Sequence, residues 1–476
     1  MNPTELILSN FEKVSSIPRG SKNEAAIRNW LIKWAAEHNC TSKTDVAGNL
    51  VIYAPASAGY EDRPTLILQG HMDMVCQKTL ESTHDFTKDP IQLIRDGDWI
   101  RANGTTLGAD NGIGIALMMS LVEDESVKHP RLELLLTVEE EFGIVGADNL
   151  DPSLISGKTM INLDSETEGV FTVGCAGGGS VYITQPIIWE APIAGETAFE
   201  LKVSGLLGGH SGEDIHKHRA NANKLIGRLL DGILRNVQIR LSEIKGGTAR
   251  NAIPREAKAV FTCLLDQVET LREISSVLFQ IIRREHTRTE PGLVISLMEA
   301  GEEPVRLASL IDSQKIACLL SALPNGVSAF SADTPGSVET SNNIGVMETK
   351  EVGFEIISNH RSSVLTRLEE SIARVEALAW LAGAKTEQTK LFPPWQPDIE
   401  SRLLQQSLRV YRATFEKEPV VMVCHGGLEC GIISSRCGGI DAISIGPDMQ
   451  HLHSPDERLY VPSLSRVWDF LCRLLV

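Results

Sequence analysis

The chain has 476 residues, of which 42% are hydrophobic and 22% are charged, and its formal net charge is −17. A chain of this length exceeds what one hydrophobic core supports, so we expect two or more domains. The composition is that of an ordinary soluble globular protein. The excess of acidic residues argues against nucleic acid or an anionic membrane as a partner.

The location of the protein is indicated by three features. The amino-terminal stretch MNPTELILSNFEKVSSIPRG carries acidic residues and lacks a long apolar core, which argues against a signal peptide. The apolar stretch IGIALMMSLV at 113–122 is too short to span a bilayer. Nine scattered cysteines without a CxxC pair are typical of reduced thiols in a cytosolic protein. We therefore predict a cytoplasmic protein that makes no chemical use of its cysteines.

The first part of the chain alternates helical and apolar segments. NEAAIRNWLIKWAAEHN at 23–39 has the period of a helix, and the runs NLVIYAPA, TLILQGH, LELLLTV and TMINLDS follow with helical segments between them. This alternation predicts an α/β fold with a mostly parallel sheet flanked by helices. Ligands of such sheets bind beyond the carboxyl ends of the strands.

The pattern changes near residue 187. TAFELKVSGLLGGHSG, NANKLIGRLLDGIL, NVQIRLSEIKGG and REAKAVFTCLL form a strand–helix–strand–strand unit, and a second unit runs from GLVISLMEAG to ESIARVEALAWLAGA. Alternation of helix and strand resumes after the turn-rich LFPPWQPD. The simplest interpretation is an inserted α+β domain at 187–393, with an outer domain built from 1–186 and 394–476.

Four segments of the outer domain place an acidic or histidine side chain where an apolar run ends. TLILQGHMD ends with His71 and Asp73, GTTLGADNG contains Asp110, LLLTVEEEFG contains the glutamates 139–141, and MINLDSE contains Asp164. Each has a structural alternative when taken alone. A His-x-Asp pair can be a hydrogen-bonded loop, Asp110 a helix N-cap and Asp164 a turn residue.

Taken together, these side chains predict a metal site. Several carboxylates at one sheet edge need a compensating charge, and oxygen and imidazole ligands without thiolates favour zinc, manganese or cobalt. A carboxylate shared by two metals about 3.5–4 Å apart is the usual core of a two-metal hydrolase. Asp110 and Asp164 both fit the shared position. IGPDMQHLHSPDE offers His451 and His453 as a further ligand.

The motifs QGHMDMVCQK, TTLGADNGIG, TVEEEFG, NLDSE, GGHSG, HGGLECG and HSPDE occur in this order. The ordered set resembles the aminoacyl-histidine dipeptidases, also called Xaa-His or cytosolic non-specific dipeptidases. These belong to the two-zinc aminoacylases and carboxypeptidases, and the resemblance covers essentially the whole chain. It implies a zinc-peptidase-like mixed sheet flanked by helices, with an inserted, doubled ferredoxin-like lid domain, and hydrolysis of dipeptides.

The resemblance also implies the ligands of two divalent ions, zinc in the family, with manganese and cobalt as alternatives. One ion would be held by His71, Asp110 and Asp164, and the other by Asp110, Glu141 and His453. Asp110 would then be the bridge. The choice of His453 over His451 depends on the match to HSP.

Roles for the neighbouring acids follow from the same resemblance. Glu140 would be the general base, since the family places the base directly before the metal-binding glutamate. Asp73 would orient His71 without binding metal. Glu139 is interpreted as structural.

In the inserted domain, GLLGGHSGEDIH matches the lid motif of the family. His210 would therefore polarise the scissile carbonyl or stabilise the oxyanion. Asn251 and Arg361 would contact the substrate, and a guanidinium suits the terminal carboxylate of a peptide. Gly427, in the CHGGLECG stretch of the catalytic domain, would let the backbone approach the substrate.

The expected partners are small dipeptides, and the family implies a homodimer through the lid. One alternative is an amidohydrolase that acts on N-acyl amino acids, because the ligand set does not separate the two substrates. The other is a scaffold protein that binds metal but has lost catalysis. Five ligands together with Glu140 argue against that alternative.

Overall fold

The structure, a computed structural model, describes residues 2–476, which divide into two compact units. Unit 1 contains the chain up to Cys175, Trp395–Val423 and Leu428–Val476. Unit 2 contains Ala176–Pro394 and Cys424–Gly427.

The helices and strands follow in chain order. The first part of unit 1 contains α1 (Pro3–Ser15), α2 (Ala25–Glu37), β1 (Thr41–Thr44), β2 (Leu50–Ala54), β3 (Leu66–His71), β4 (Leu93–Asp96), β5 (Trp99–Ala102), α3 (Ala109–Glu123), β6 (Leu132–Thr137), α4 (Val145–Asp148), β7 (Thr159–Asn162) and β8 (Val170–Cys175). Unit 2 contains β9 (Gly177–Pro186), β10 (Trp189–Glu190), β11 (Glu196–Ser204), β12 (Gly209–His210), α5 (Ala222–Leu234), β13 (Ile239–Gly246), β14 (Ala252–Ile253), β15 (Ala257–Leu264), α6 (Val268–His286), β16 (Val294–Glu299), β17 (Leu307–Ala308), α7 (Leu310–Ala322), β18 (Gly326–Phe330), β19 (Val338–Thr349), β20 (Gly353–Ser362), α8 (Leu365–Ala382) and β21 (Lys385–Gln388). The rest of the chain contains α9 (Arg402–Phe415), β22 (Val420–Cys424), α10 (Glu429–Arg436), β23 (Asp441–Ser444), β24 (Met449–Gln450), β25 (Arg458–Tyr460) and α11 (Val461–Leu474).

The predicted domains 1–186, 187–393 and 394–476 differ from this division at two points. Unit 2 begins before β9, because that strand pairs with β20 and β21 in the sheet of unit 2. The residues Cys424–Gly427 were expected in the catalytic domain but belong to unit 2. The carbonyl of Cys424 accepts the Ala176 N–H at 3.0 Å, and the His425 ring bonds to the Ser341 hydroxyl at 2.7 Å.

The main sheet of unit 1 has the strand order β1-β2-β6-β3-β7-β23-β8-β22. Its four central strands, β6, β3, β7 and β23, run parallel, whereas β1, β2 and β8 pair antiparallel. The prediction of a mostly parallel sheet is therefore correct for the centre only, and the mixed sheet implied by the family resemblance is confirmed. Every residue of β3 and β6 is buried, which explains their continuous apolar runs.

This topology gathers the acidic segments. Parallel strands present their carboxyl ends at one edge of the sheet, where ligands of α/β proteins bind. His71 is the last residue of β3, the glutamates 139–141 follow β6, and Asp164 follows β7. Asp110 lies in the first turn of α3.

Unit 2 is built on an antiparallel sheet in the order β16-β11-β15-β13-β19-β20-β9-β21, with β18 beside β19. The two strand–helix–strand–strand units join where Lys245 and Gly246 of β13 pair with Glu348 and Met347 of β19. The amphipathic α5 is capped by the Asn221 side chain. The doubled lid predicted from the resemblance is confirmed.

Within residues 2–476, none of the helices combines the length and the apolar character that crossing a membrane requires.

The core of unit 2 gives a stability prediction. Phe261 on β15 is fully buried and lies opposite Phe199, with 6.3 Å between the ring centroids. Phe261→Ala should lower the free energy of unfolding by about 3–5 kcal/mol, because it removes a buried ring and leaves a cavity. Denaturant unfolding measures this loss. Phe330→Ala is the control, since Phe330 is 51% exposed; equal losses in the two variants would contradict the assigned core.

Candidate active site

Asp110 lies between two histidines of unit 1. Its Oδ1 is 2.9 Å from Nε2 of His71, and its Oδ2 is 3.1 Å from Nε2 of His453. One carboxylate therefore faces two imidazoles that lie 382 positions apart in the sequence (453 − 71). The ring of His451 is not part of this arrangement; its carbonyl accepts the Ser454 hydroxyl at 2.7 Å.

Two more carboxylates lie on either side of Asp110. Asp164 Oδ1 is 3.3 Å from Nε2 of His71, and Glu141 Oε1 is 3.1 Å from Nε2 of His453. Both oxygens are buried, and neither meets hydrogen-bond geometry with a described residue. Each half of the cluster thus contains one imidazole, one further carboxylate and one oxygen of Asp110.

The donor set fits divalent cations. Ligand atoms of His71, Asp110 and Glu141 all lie within 4.8 Å of one another. Three largely shielded carboxylates share two imidazoles, and buried carboxylate oxygens without a hydrogen bond are costly unless a cation meets them. Oxygen and imidazole donors without sulfur favour zinc, manganese or cobalt.

The protonation of the cluster reflects its excess of negative charge. The adjacent carboxylates of Asp110 and Glu141 raise the pKa of His453 to about 11. Burial disfavours a charged His71, but Asp164 and Asp110 raise its pKa well above the usual range. Burial raises the pKa of Asp164 to about 7, against the effect of His71. Protons thus occupy the imidazoles where cations would bind.

Asp73 connects His71 to the glutamate segment. Its Oδ1 is 3.3 Å from Nδ1 of His71. The backbone N–H groups of Glu140 and Glu141 donate to its two oxygens at 3.0 and 3.2 Å, and the Ser21 hydroxyl donates at 2.8 Å. Contact at Nδ1 leaves Nε2 of His71 directed at Asp110, which is the geometry of an orienting carboxylate.

Glu140 and Glu139 have different surroundings. Burial raises the pKa of Glu140 well above its usual range; His71 opposes this shift and Asp164 adds to it. A carboxyl group tuned in this direction can take up and return a proton near neutral pH. Glu139 has a φ of 50°, and its N–H donates to Oε1 of Glu24 at 3.0 Å.

Glu429 was missed by the sequence analysis. It is fully buried on α10, and its Oε2 accepts hydrogen bonds from Gln69 Nε2 and Thr137 Oγ1, both at 2.6 Å. Burial raises its pKa to about 8, against the effect of His71. Glu429 thus links β3 to β6 near their carboxyl ends, next to His71 and to the glutamates 139–141. The signals in the sequence were its place in the HGGLECG motif and a polar partner in each strand, Gln69 and Thr137.

In unit 2, His210 lies on β12 opposite Ala252 of β14. The N–H of Ser211, the residue after His210, donates to the carbonyl of Asn251 at 2.7 Å. The predicted site residues His210 and Asn251 therefore lie close together. The N–H of Glu213 donates to Nδ1 of His210 at 3.3 Å. Burial and the charge of Arg361 lower the pKa of His210.

Arg361 lies on β20 of unit 2, beside a second imidazole. Its Nη1 donates to the carbonyl of His425 at 3.5 Å, and the His425 ring bonds to the Ser341 hydroxyl at 2.7 Å. Burial and then Arg361 lower the pKa of His425 to about 3. The imidazoles of His210 and His425, whose pKa values the Arg361 charge lowers, are therefore neutral near pH 7. Gly427 ends the same short segment and is half-buried.

Comparisons with known proteins identify the family of the chain. The model of the peptidase dimerisation domain matches residues 201–290. The chain is 40% identical over 465 residues to the cytosol non-specific dipeptidase of Escherichia coli K12, covering 98% of this chain and 96% of the relative. The crystal structure of aminoacylhistidine dipeptidase from Vibrio alginolyticus superposes with a TM-score of 0.92 at 38% identity, covering 98% of this chain and 96% of that one.

A more distant structure shares the fold alone. The aminopeptidase PepT from Bacillus cereus covers 99% of this chain and 98% of its own, with a TM-score of 0.56 and 15% identity. The two closer comparisons show that the chain belongs to the cytosol non-specific dipeptidases, metal-dependent enzymes of the M20 peptidase family. It is accordingly a peptide-bond hydrolase, and the family resemblance of its motifs is confirmed.

The raised pKa values of His71 and His453 predict that metal binding releases protons. An imidazole must be neutral to bind a metal. Both are protonated in the metal-free protein at neutral pH, so the apparent metal affinity should rise with pH. Calorimetry in two buffers with different heats of ionisation measures the released protons. His453→Gln should release about one proton fewer; a heat that does not depend on the buffer would contradict the prediction.

Proposed function

We propose that the protein cleaves dipeptides, Xaa-His among them, with a water activated between two divalent metal ions. The observation that carries the proposal is Asp110, whose two oxygens face separate imidazole and carboxylate pairs in a chain 40% identical to a dipeptidase. We propose His71, Asp110 and Asp164 as ligands of one ion and Asp110, Glu141 and His453 as ligands of the other. Zinc is the first candidate, and manganese and cobalt fit the same donors.

Such ions, when bound, lower the pKa of water and polarise a carbonyl oxygen. Glu140 supplies the proton transfers. It directly precedes the ligand Glu141, and its backbone is fixed by Asp73. Glu140 takes a proton from the attacking water and gives it to the departing amine, which a carboxyl with a raised pKa is suited to do.

His210 is proposed to stabilise the oxyanion. Its pKa is lowered, so the imidazole is neutral near pH 7. Because Nδ1 accepts the Glu213 N–H, the single ring proton lies on Nε2. His210 then presents an N–H donor, as stabilisation of a developing negative charge requires.

Substrate recognition is proposed to involve three further residues of unit 2. Arg361 binds the terminal carboxylate of the dipeptide, because a guanidinium can donate two parallel hydrogen bonds to it. Asn251, next to His210, and Gly427, in the segment beside Arg361, are proposed to contact the peptide backbone. Recognition of both termini of the substrate would confine the enzyme to short peptides.

The protein is proposed to be a cytoplasmic homodimer that pairs through the lid. The match of 201–290 to a peptidase dimerisation domain supports the dimer. Unit 2 also offers an edge strand, β16, whose Val294 and Met298 are more than half exposed. The nine cysteines, scattered without a CxxC pair, and the name of the Escherichia coli relative support a reducing compartment.

The reaction is tested with purified protein that has been stripped of metal and then restored with zinc, manganese or cobalt. Ala-His and similar free dipeptides should be cleaved only after a metal is restored. Longer peptides and peptides with a blocked carboxyl terminus should be spared. Preferential cleavage of N-acetyl amino acids would instead identify an acyl-amino-acid hydrolase, and binding of metal without any cleavage would identify an inactive scaffold.

The role of Glu140 is tested by Glu140→Gln, which keeps the shape but cannot take up the proton. Turnover should fall by about 10²–10⁴-fold, while both metals still bind because Glu140 is not a ligand. Glu139→Gln is the matched control, one position earlier, and should change turnover little. A Glu140→Gln enzyme that works within a few-fold of wild type would rule out the general base.

A further inference from the structure

Glu457 is a buried carboxylate that accepts hydrogen bonds from the segment carrying Asp110. It is 2% exposed, and four consecutive backbone N–H groups donate to it. Leu107 and Gly108 donate to Oε2 at 2.7 and 3.0 Å, and Ala109 and Asp110 donate to Oε1 at 2.8 and 3.4 Å. These are the N–H groups at the start of α3, which have no partners within the helix.

Arg19 holds the carbonyl side of the same segment. It is 1% exposed, and its Nη2 donates to the carbonyl of Gly108. Its Nη1 donates to the carbonyls of Met72 at 3.1 Å and Asp73 at 2.7 Å. Arg19 therefore links the Asp110 segment to the segment that follows His71.

The start of α3 lacks a side-chain cap of its own, and Glu457 takes that role. The free N–H groups at the start of a helix are usually met by the side chain at its cap position. The residue at the cap position of α3 is Gly108, which makes no side-chain cap, and Asp110 has non-helical angles of φ −79° and ψ 110°. Glu457 accepts the free N–H groups instead. Glu457 thus fixes the backbone on both sides of Ala109, and the two oxygens of Asp110 face His71 and His453.

Glu457 also fixes the other histidine-bearing segment. It lies four positions after His453 in HSPDE, and its own N–H donates to the carbonyl of Ser454 at 3.1 Å. One side chain therefore connects two segments that are 347 positions apart. Two of the three proposed ligands of the second ion, Asp110 and His453, depend on this connection.

We propose that Glu457 is a positioning residue for metal binding, which fixes the backbone that carries Asp110 and sets the place of Asp110 relative to His453. This inference rests on the proposed two-metal site. Glu457 contacts neither the substrate nor a metal in this account. Its loss should lower the affinity for the ion held by Asp110, Glu141 and His453 more than the affinity for the ion held by His71, Asp110 and Asp164.

A matched control exists within unit 1. Glu133 is 1% exposed and also accepts backbone N–H groups, from Ser156 at 3.1 Å and Gly157 at 3.0 Å. It lies near the start of β6, whereas the metal cluster follows the end of that strand. Glu133→Gln therefore reports the general cost of removing a buried carboxylate that binds backbone.

The test is a calorimetric titration of the full-length, metal-free protein with zinc. Wild type should bind two ions per chain. Glu457→Gln should weaken the second ion by about 10–100-fold, because an amide NH₂ meets backbone donors and the segment shifts. Glu457→Asp keeps the charge on a shorter side chain and should show a smaller loss of the same ion. It serves as the test variant if Glu457→Gln does not fold.

Glu133→Gln should leave both affinities at the wild-type level. Wild-type affinity for both ions in the Glu457 variants would overturn the inference, and so would equal losses in the Glu457 and Glu133 variants. If wild type itself bound fewer than two ions, the two-metal proposal would fail, and the inference with it.

Discussion

The structure of unit 1 depends on negative charge collected at the carboxyl ends of parallel strands. Asp110, Asp164 and Glu141 meet there with two imidazoles, and two carboxylate oxygens have no hydrogen bond from the described residues. Such an arrangement is costly in a protein interior unless a cation completes it. In the metal-free protein the cost is reduced by protons on His71 and His453. Metal affinity, proton release and the tuning of Glu140 are then consequences of the same excess of charge.

Residues behind the cluster keep it in place. Asp73 fixes His71 and the glutamate segment, and Glu429 joins the strands that deliver them. Glu457 and Arg19 hold the segment of Asp110 from its N–H and carbonyl sides. Each of these side chains is buried and forms hydrogen bonds to polar groups of the chain, as buried polar side chains usually do. The site therefore has precise geometry before any ion binds, which is what preorganisation demands.

The sequence predicted the part of the site that is local. His71, Asp164 and the three glutamates each follow an apolar run, so their meeting at one edge follows from strand polarity alone. Spacing did not decide whether Asp110 or Asp164 is shared, since both fitted. The family resemblance implied Asp110, and the distances to His71 and His453 support it.

Contacts between residues far apart in the chain could not be predicted from the sequence. Glu429 lies 360 positions from its partner Gln69, and Glu457 lies 347 from Asp110, so no local pattern linked them. The sequence analysis placed the CHGGLECG stretch in the catalytic domain, whereas Cys424–Gly427 belong to unit 2. The segment is short, and its contacts with Ala176 and Ser341 are distant in the sequence.

The most direct test of the two-metal site is anomalous diffraction from crystals grown with zinc. A site bridged by Asp110 should give two zinc peaks about 3.5–4 Å apart, one on each side of this carboxylate. His71 and Asp164 would surround one peak, and Glu141 and His453 the other. A single peak, or a pair that Asp110 does not bridge, would contradict the claim that this carboxylate organises the site.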